Sequence, residues 1–322
     1  MKNKEQNTKV LKVVEKKKIW LLLSAAVILI GVVAGIVRGG LNFGMDFVGG
    51  TKVVIQTGLD SDSEKKDEDS KKKDFDKAGA DKIVEKYVDD ATTSMVDDDQ
   101  YEIKSAKLDT ETFDKIFDDI KSEYKVHENV VSQDAVGASI GKDLTEKSIK
   151  ALLIAFVVML IYIAIRFEFT FGLAALSALA HDVLVTLSIY AIFNVSINSP
   201  FIAAILTIVG YSINATIVIF DRIRENRKNL RRSDDTELAN KSIAQTMSRS
   251  INTTLTTLFT IVAVYIFVPS VRDFAFPIII GILSGTYSSI CIAPSLWVVY
   301  KKVANKRKEK REHKKIEKKK NK

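Results

Sequence analysis

The chain has 322 residues, 47% apolar and 27% charged, with a net charge of +8 and a single cysteine, Cys291. One cysteine excludes an internal disulfide and a cysteine-built metal site. The charge is divided: residues 40–148 carry 27 Asp/Glu against 16 Lys and no Arg, or −11, and the remainder is +19. The basic excess flanks apolar runs, as around membrane helices, so no nucleic-acid partner is expected.

In chain order, Met1 to Lys18 is polar and lysine-rich, and Ile19–Val37 is a continuous apolar run. That run has the length of a membrane crossing and exceeds the apolar core of a signal peptide. It reads as a retained first helix whose start is held in the cytoplasm by Lys12, Lys16, Lys17 and Lys18. Gly39 to Thr51 (GGLNFGMDFVGGT) reads as a glycine-rich turn leading into a strand at 52–56. Residues 60–77 are low in complexity and doubly charged, which predicts a mobile loop. Their acids lack the spacing and central glycine of a calcium loop.

A helix is expected over 78–91 and a strand over 101–108. A second helix is expected over 110–124, with Thr110 as N-cap and Phe113, Ile116, Phe117 and Ile120 on one face, and a last strand over 130–136. Strand, helix, strand, helix, strand makes residues 39–148 a small α+β domain. Five more apolar runs follow, at 149–165, 171–193, 201–220, 250–268 and 274–300. Pro277 and Pro294 are expected to bend the last. An Arg-rich loop spans 222–249 and a basic tail 301–322. The reading is an α-helical multi-pass membrane protein with six transmembrane helices. Residues 1–38 hold the cytoplasmic start and first helix, the α+β domain is extracytoplasmic, and 149–300 form a five-helix membrane domain. Six crossings and the charge pattern place both termini in the cytoplasm.

Polar groups inside apolar runs are the site candidates. Asp182 is the only acid well inside a run. It reads either as a titrating member of an ion pathway or as a structural anchor between helices. His181 points about 100° away on a helix, so the two need not act together; His181 reads as structural first and as a pH switch second. Thr207, Tyr211, Asn214 and Asp221 share one stripe, closed by Arg222 and Arg224. Arg249, Thr253, Thr256 and Thr260 form another. If its helix starts before Ser250, Arg249 lies at membrane depth and approaches Asn214. Small residues from Ser284 to Ser289, with Gly281 and Gly285, read as close helix packing. No nucleophile–base pair, phosphate loop or metal-ligand spacing appears, so no enzyme activity, cofactor or metal is expected.

GYSINATIVIFDRIREN, from Gly210 to Asn226, resembles the fourth membrane helix of the SecF family, the smaller half of the SecD/SecF accessory complex of bacterial protein export. Asp46, Phe47, Gly49 and Gly50 resemble the D-F-x-G-G signature after the first helix of that family. Ser248 to Thr254 resembles its S-R-S-x-N-T-T segment, whose arginine is tied to proton coupling. The resemblance implies a subunit of the bacterial cytoplasmic membrane with a ferredoxin-like outer domain. It would work among membrane lipids with SecD and the SecYEG channel, drawing on an ion gradient to act on the translocating polypeptide. Asp46, Phe47, Gly49, Gly50, His181, Tyr211, Asp221 and Arg222 would be structural signature residues. Asp182, Asn214, Arg249 and Thr253 would be the coupling candidates.

One position departs. Relatives commonly read N-D-T where this chain has Asn214-Ala215-Thr216, and alanine binds no proton. Asp182 substitutes, or the SecD partner supplies the acid, or this subunit does not couple protons. Ala138 also stands where relatives often have proline. Two other functions fit the same sequence pattern: a half-transporter of the resistance-nodulation-division type exporting lipids or small molecules, and a passive membrane scaffold.

Overall fold

The computed structural model describes residues 12–57, 73–89, 91–96, 99–105, 107–136, 138–166, 168–229 and 234–320. Most of the charged insert at 60–77, together with Asp97 and Asp98, lies outside them.

The α+β domain is built from β1 (Gly50–Thr57), α3 (Lys77–Tyr87), β2 (Thr92–Val96), β3 (Gln100–Ser105), α4 (Thr110–Glu123) and β4 (Val126–Val136). The sheet order is β2-β3-β1-β4, with every neighbouring pair antiparallel. In register, Val53 lies opposite Ile103 on one side and Gln133 on the other. Alternation sends Val53, Ile55, Tyr101 and Ile103 to one face, where they pack on Ile83 and Val84 of α3 and Phe113, Ile116 and Ile120 of α4. Strand β2 is an element the sequence pattern does not signal: TTSMV is short, lies at the sheet edge, and is nowhere fully buried. The cap of α4 is Asp109 rather than Thr110, because the Asp109 carboxylate accepts the Thr112 N–H at 2.8 Å.

The helical half comprises α1 (Lys17–Val37), α5 (Ala138–Arg166), α6 (Phe169–Phe193), α7 (Ser199–Asn229), α8 (Asp235–Phe267), α9 (Arg272–Tyr287) and α10 (Ala293–Lys320). A one-turn helix, α2 (Met45–Val48), joins α1 to β1. Among the described residues, five stretches are long and apolar enough to cross a membrane: Lys17–Val37, Phe169–Phe193, Ser199–Lys228, Asp235–Phe267 and Pro269–Arg311.

Several helices outrun their apolar segments. The helix that carries the fifth run, α8, begins at Asp235, where the Asp234 side chain accepts the Thr236 N–H. The fourth continues to Asn229, and the last continues through the basic tail to Lys320. Residues 138–148 are the first turns of α5. The reason is common to all: Lys, Arg, Glu and Gln propagate a helix as well as Leu does, so hydropathy marks the bilayer and not the helix end. Pro277 is accommodated within α9, and a π turn at Ser288–Ile292 immediately precedes Pro294.

Two close approaches order the bundle. A side chain at Gly31 of α1 would collide with Ser188 of α6. One at Gly281 or Gly285 of α9 would press on Ile208 or Ser212 of α7. Small residues therefore bring α1 onto α6 and α9 onto α7, around a shared centre.

Candidate functional site

That centre is Asp182, which is 1% exposed. Its Oδ2 accepts the hydroxyls of Ser212 on α7 at 2.6 Å and Ser288 on the π turn at 2.8 Å. Its Oδ1 accepts Ser284 on α9 at 2.8 Å and lies 3.0 Å from His181 Nδ1. His181 Nε2 lies 2.8 Å from Ser24 Oγ on α1. Ser24 bonds Tyr287 at 3.3 Å, and the Tyr287 hydroxyl donates to the Trp20 carbonyl at 2.7 Å. A buried carboxylate is tolerated when its lone pairs are filled, and here they are filled from four elements.

The sequence leaves open whether His181 and Asp182 act together, and the structure brings their side chains into contact. Their backbone directions do diverge by about 100°, as neighbours on a helix must. Rotation of the imidazole nevertheless brings Nδ1 within 3.0 Å of the carboxylate. Sequence reasoning also missed Ser24, Ser212, Ser284, Ser288 and Tyr287 as members of one network. The available signal was the i, i+4 spacing of Ser284/Ser288 beside that of Gly281/Gly285, which puts hydroxyls and small residues on nearby faces of the same helix.

The other candidates do not join this centre. Asn214 on α7 and Arg249 and Thr253 on α8 are all exposed. Among the described residues, no hydrogen-bond or ion-pair partner is recorded for the Asn214 or Arg249 side chains. Thr253 donates back to the Arg249 carbonyl at 2.8 Å, and Thr256 and Thr260 likewise bond within their own helix. With Ala203, Thr207 and Gly210, these residues make an outward face of small and polar groups. Ala215 is half-buried beside them. Tyr211 turns from this stripe to pack with Ala204, Ile278 and Ile282.

The signature residues sit at joints. Asp46 accepts the Ser199 N–H at 2.7 Å, at the first residue of α7. Phe47 is buried against Ile197, Phe201 and Ile205. Gly49 and Gly50 adopt φ of 83° and 146°, values that favour glycine. Asp221 pairs with Arg224 at 3.2 Å. Arg222 reaches Gln245 of α8 at 2.7 Å and Glu225 at 2.6 Å, tying α7 to α8.

Comparison with known proteins places this arrangement. The family model described as protein export membrane protein SecD/SecF, C-terminal, matches residues 116–303. The chain is 36% identical over 298 residues to the protein translocase subunit SecF of Acidaminococcus fermentans, covering 90% of this chain and 97% of that one. It is 37% identical over 280 residues to the subunit SecDF of Thermus thermophilus, covering 86% of this chain but 37% of that one. The crystal structure of the Thermus SecDF, titled a translocon-associated membrane protein, superposes with a TM-score of 0.71 at 33% identity, covering 89% of this chain and 38% of that one. The chain thus spans little more than a third of the SecDF proteins it matches and nearly the whole of the separate SecF protein. It belongs to the SecD/SecF family of protein-export membrane proteins.

Proposed function

We propose that this chain is an accessory subunit of the protein-export machinery of the bacterial cytoplasmic membrane, acting beside a SecD subunit and the SecYEG channel on the translocating polypeptide. The observation that carries this is the match over 97% of a separate SecF protein. That SecD is the partner follows from relatives in which both names are joined in one chain, SecDF. The Ala138–Arg166 helix supplies a sixth crossing, with both termini in the cytoplasm and 39–136 outside. The βαββαβ order and the β2-β3-β1-β4 sheet support a ferredoxin-like outer domain.

Within that frame, the exposed face of Asn214, Arg249 and Thr253 is where SecD docks. A guanidinium at membrane depth requires an anion, a carbonyl or water. With alanine at 215, the acid that faces Arg249 comes from the partner. Depleting the subunit then leaves unprocessed precursor proteins in the cell. In membrane vesicles holding SecD, Arg249→Met removes the stimulation of export by an ion gradient. Secretion at the normal rate in depleted cells overturns the export reading. Full gradient stimulation in the Arg249→Met vesicles overturns the role of this face alone.

A further inference from the structure

Protons in the Asp182 network can be counted from its far end. The Trp20 carbonyl only accepts, so the single hydroxyl proton of Tyr287 points to it. Tyr287 must then receive from Ser24, whose own proton is thereby committed. The Ser24 oxygen accepts from His181 Nε2, which therefore carries hydrogen. At the near end, Ser212, Ser284 and Ser288 all donate to Asp182. What remains is the 3.0 Å gap between His181 Nδ1 and Asp182 Oδ1. Without a proton there, two lone pairs face each other. With one proton, a hydrogen bond forms, as imidazolium–carboxylate or as imidazole–carboxylic acid. Either way the pair is neutral overall, the state that burial favours.

We propose that His181 and Asp182 together bind one exchangeable proton between Nδ1 and Oδ1, and that this proton fastens α1 to α6, α7 and α9. Bound, it holds the imidazole in the orientation that gives Nε2–H to Ser24 of α1. When it is released to solvent, a neutral imidazole and a carboxylate remain, the ring turns, and the Ser24 bond is lost. The other groups facing the pair are few. Tyr287 of α9 stands with its ring 5.9 Å from that of His181, and Cys291 lies one turn beyond it on the π turn. Helix α1 offers Ser24 and the Trp20 carbonyl, and α7 offers Ser212. From α10, Tyr300 bonds Ser177 instead, and α5 contributes the apolar Phe156 and Met159 to the surrounding core. Among the described residues, no lysine or arginine is paired with Asp182. Among the described residues, the shared proton is thus the charge that neutralises this carboxylate. Because α1 leads through α2 directly into β1, its release is felt by the outer domain.

The inference rests on the hydrogen bonds and stands apart from the export reading, since its test uses the full chain without partners. The protein is labelled with ¹⁵N in its histidine rings, carries His127→Asn and His313→Asn, and is placed in lipid bilayers. The His181 ring nitrogens are followed from about pH 4 to about pH 10, the span in which imidazole and perturbed carboxylates titrate. In parallel, amide hydrogen exchange of residues 20–28 is measured on the unmodified chain. The expected result is one transition in which Nδ1 loses its proton. At the same midpoint, exchange in α1 rises about tenfold or more, as local opening would produce. Ring resonances that stay fixed across the range overturn the proposal. So does a transition that leaves α1 exchange unchanged.

Discussion

The helical half of the molecule holds two polar sites built in opposite ways. Asp182 draws hydroxyls and an imidazole from α6, α7, α9 and the π turn, and α1 closes the network through Ser24. Arg249 and Asn214 face outward, with no side-chain partner among the described residues. Among the described residues, the first site is satisfied within this chain and the second is not, and an unmatched polar group in hydrocarbon is expensive. A third surface sharpens the contrast. On α1 and α5 the exposed residues are large and aliphatic, including Leu22, Leu29, Ile36, Leu153, Ile154 and Val157, as suits contact with lipid tails. Exposure by itself says little; the chemistry of what is exposed separates a lipid face from a docking face.

The hardest blow to this comparison is Asp182→Ala. It leaves Ser212, Ser284 and His181 without this acceptor, and Ser288 with only the Gly285 carbonyl at 3.2 Å. Removing one member of a buried charged network destabilises by about 3–5 kcal/mol. The expected outcome is a drop of that order in unfolding free energy, or no folded subunit in mild detergent. Arg249→Ala in the isolated subunit should stay within about 0.5 kcal/mol, as exposed substitutions do. Equal losses at both positions would mean that the two sites are not differently built.

This difference explains what could be read from the residues. Five of the apolar runs, a small antiparallel sheet domain and the family signatures were legible, because length and hydropathy are local properties. Helix ends were not: α8 begins fifteen residues before its apolar run, since Asp234 caps it and polar helix formers carry it to Ser250. Asp182 stood out as an acid inside an apolar run, and Arg249 as a charge at the edge of one. Which of them is buried depends on how α1, α6, α7 and α9 come together, and that is decided by Gly31, Gly281 and Gly285 at contacts far apart in sequence. The serines were overlooked because one hydroxyl on a helix normally bonds its own backbone. Only convergence from separate helices reveals a site.

The α+β domain offers a second buried acid for contrast. Glu102, 5% exposed, is held by two ammonium groups, Lys104 at 2.6 Å and Lys52 at 3.1 Å, with a single hydroxyl, that of Ser94, donating to it at 3.1 Å. Burial works against its charge, but the two lysines win and keep its carboxyl below the usual glutamate range. A carboxyl lowered in the folded state gives stability that is present above its unfolded pKa, about 4.3, and lost as pH falls through the folded value. Hydrogen exchange of β1 and β3 in the full chain should therefore quicken under acid. Glu102→Gln should flatten that response and weaken the sheet by roughly 1.5–3 kcal/mol at neutral pH. An unchanged acid response in the variant would assign it to other carboxylates.

The outward site is tested by association rather than by folding. Arg249→Met should leave the subunit's own unfolding unaltered but weaken its binding to SecD about tenfold, or about 1.4 kcal/mol. Binding is measured by co-purification titration in lipid nanodiscs. Lysine at the same position should recover only part of the loss, because an ammonium lacks the planar fork of a guanidinium.

The smallest expected effect decides whether the two exposed faces are truly different. Leu153 on α5 is 61% exposed, and its neighbours on that surface are Ile149, Ile154 and Val157. In a bilayer, a leucine that leaves lipid for a partner helix gains no hydrophobic energy, because lipid tails are as apolar as the partner. Leu153→Ala should therefore change both subunit stability and SecD binding by less than about 0.5 kcal/mol. The same two assays used for Arg249→Met measure it. Suppose instead that Leu153→Ala weakens the complex as much as Arg249→Met does. Then α5 is part of the interface, and a smooth aliphatic surface on this protein no longer identifies the side that meets lipid.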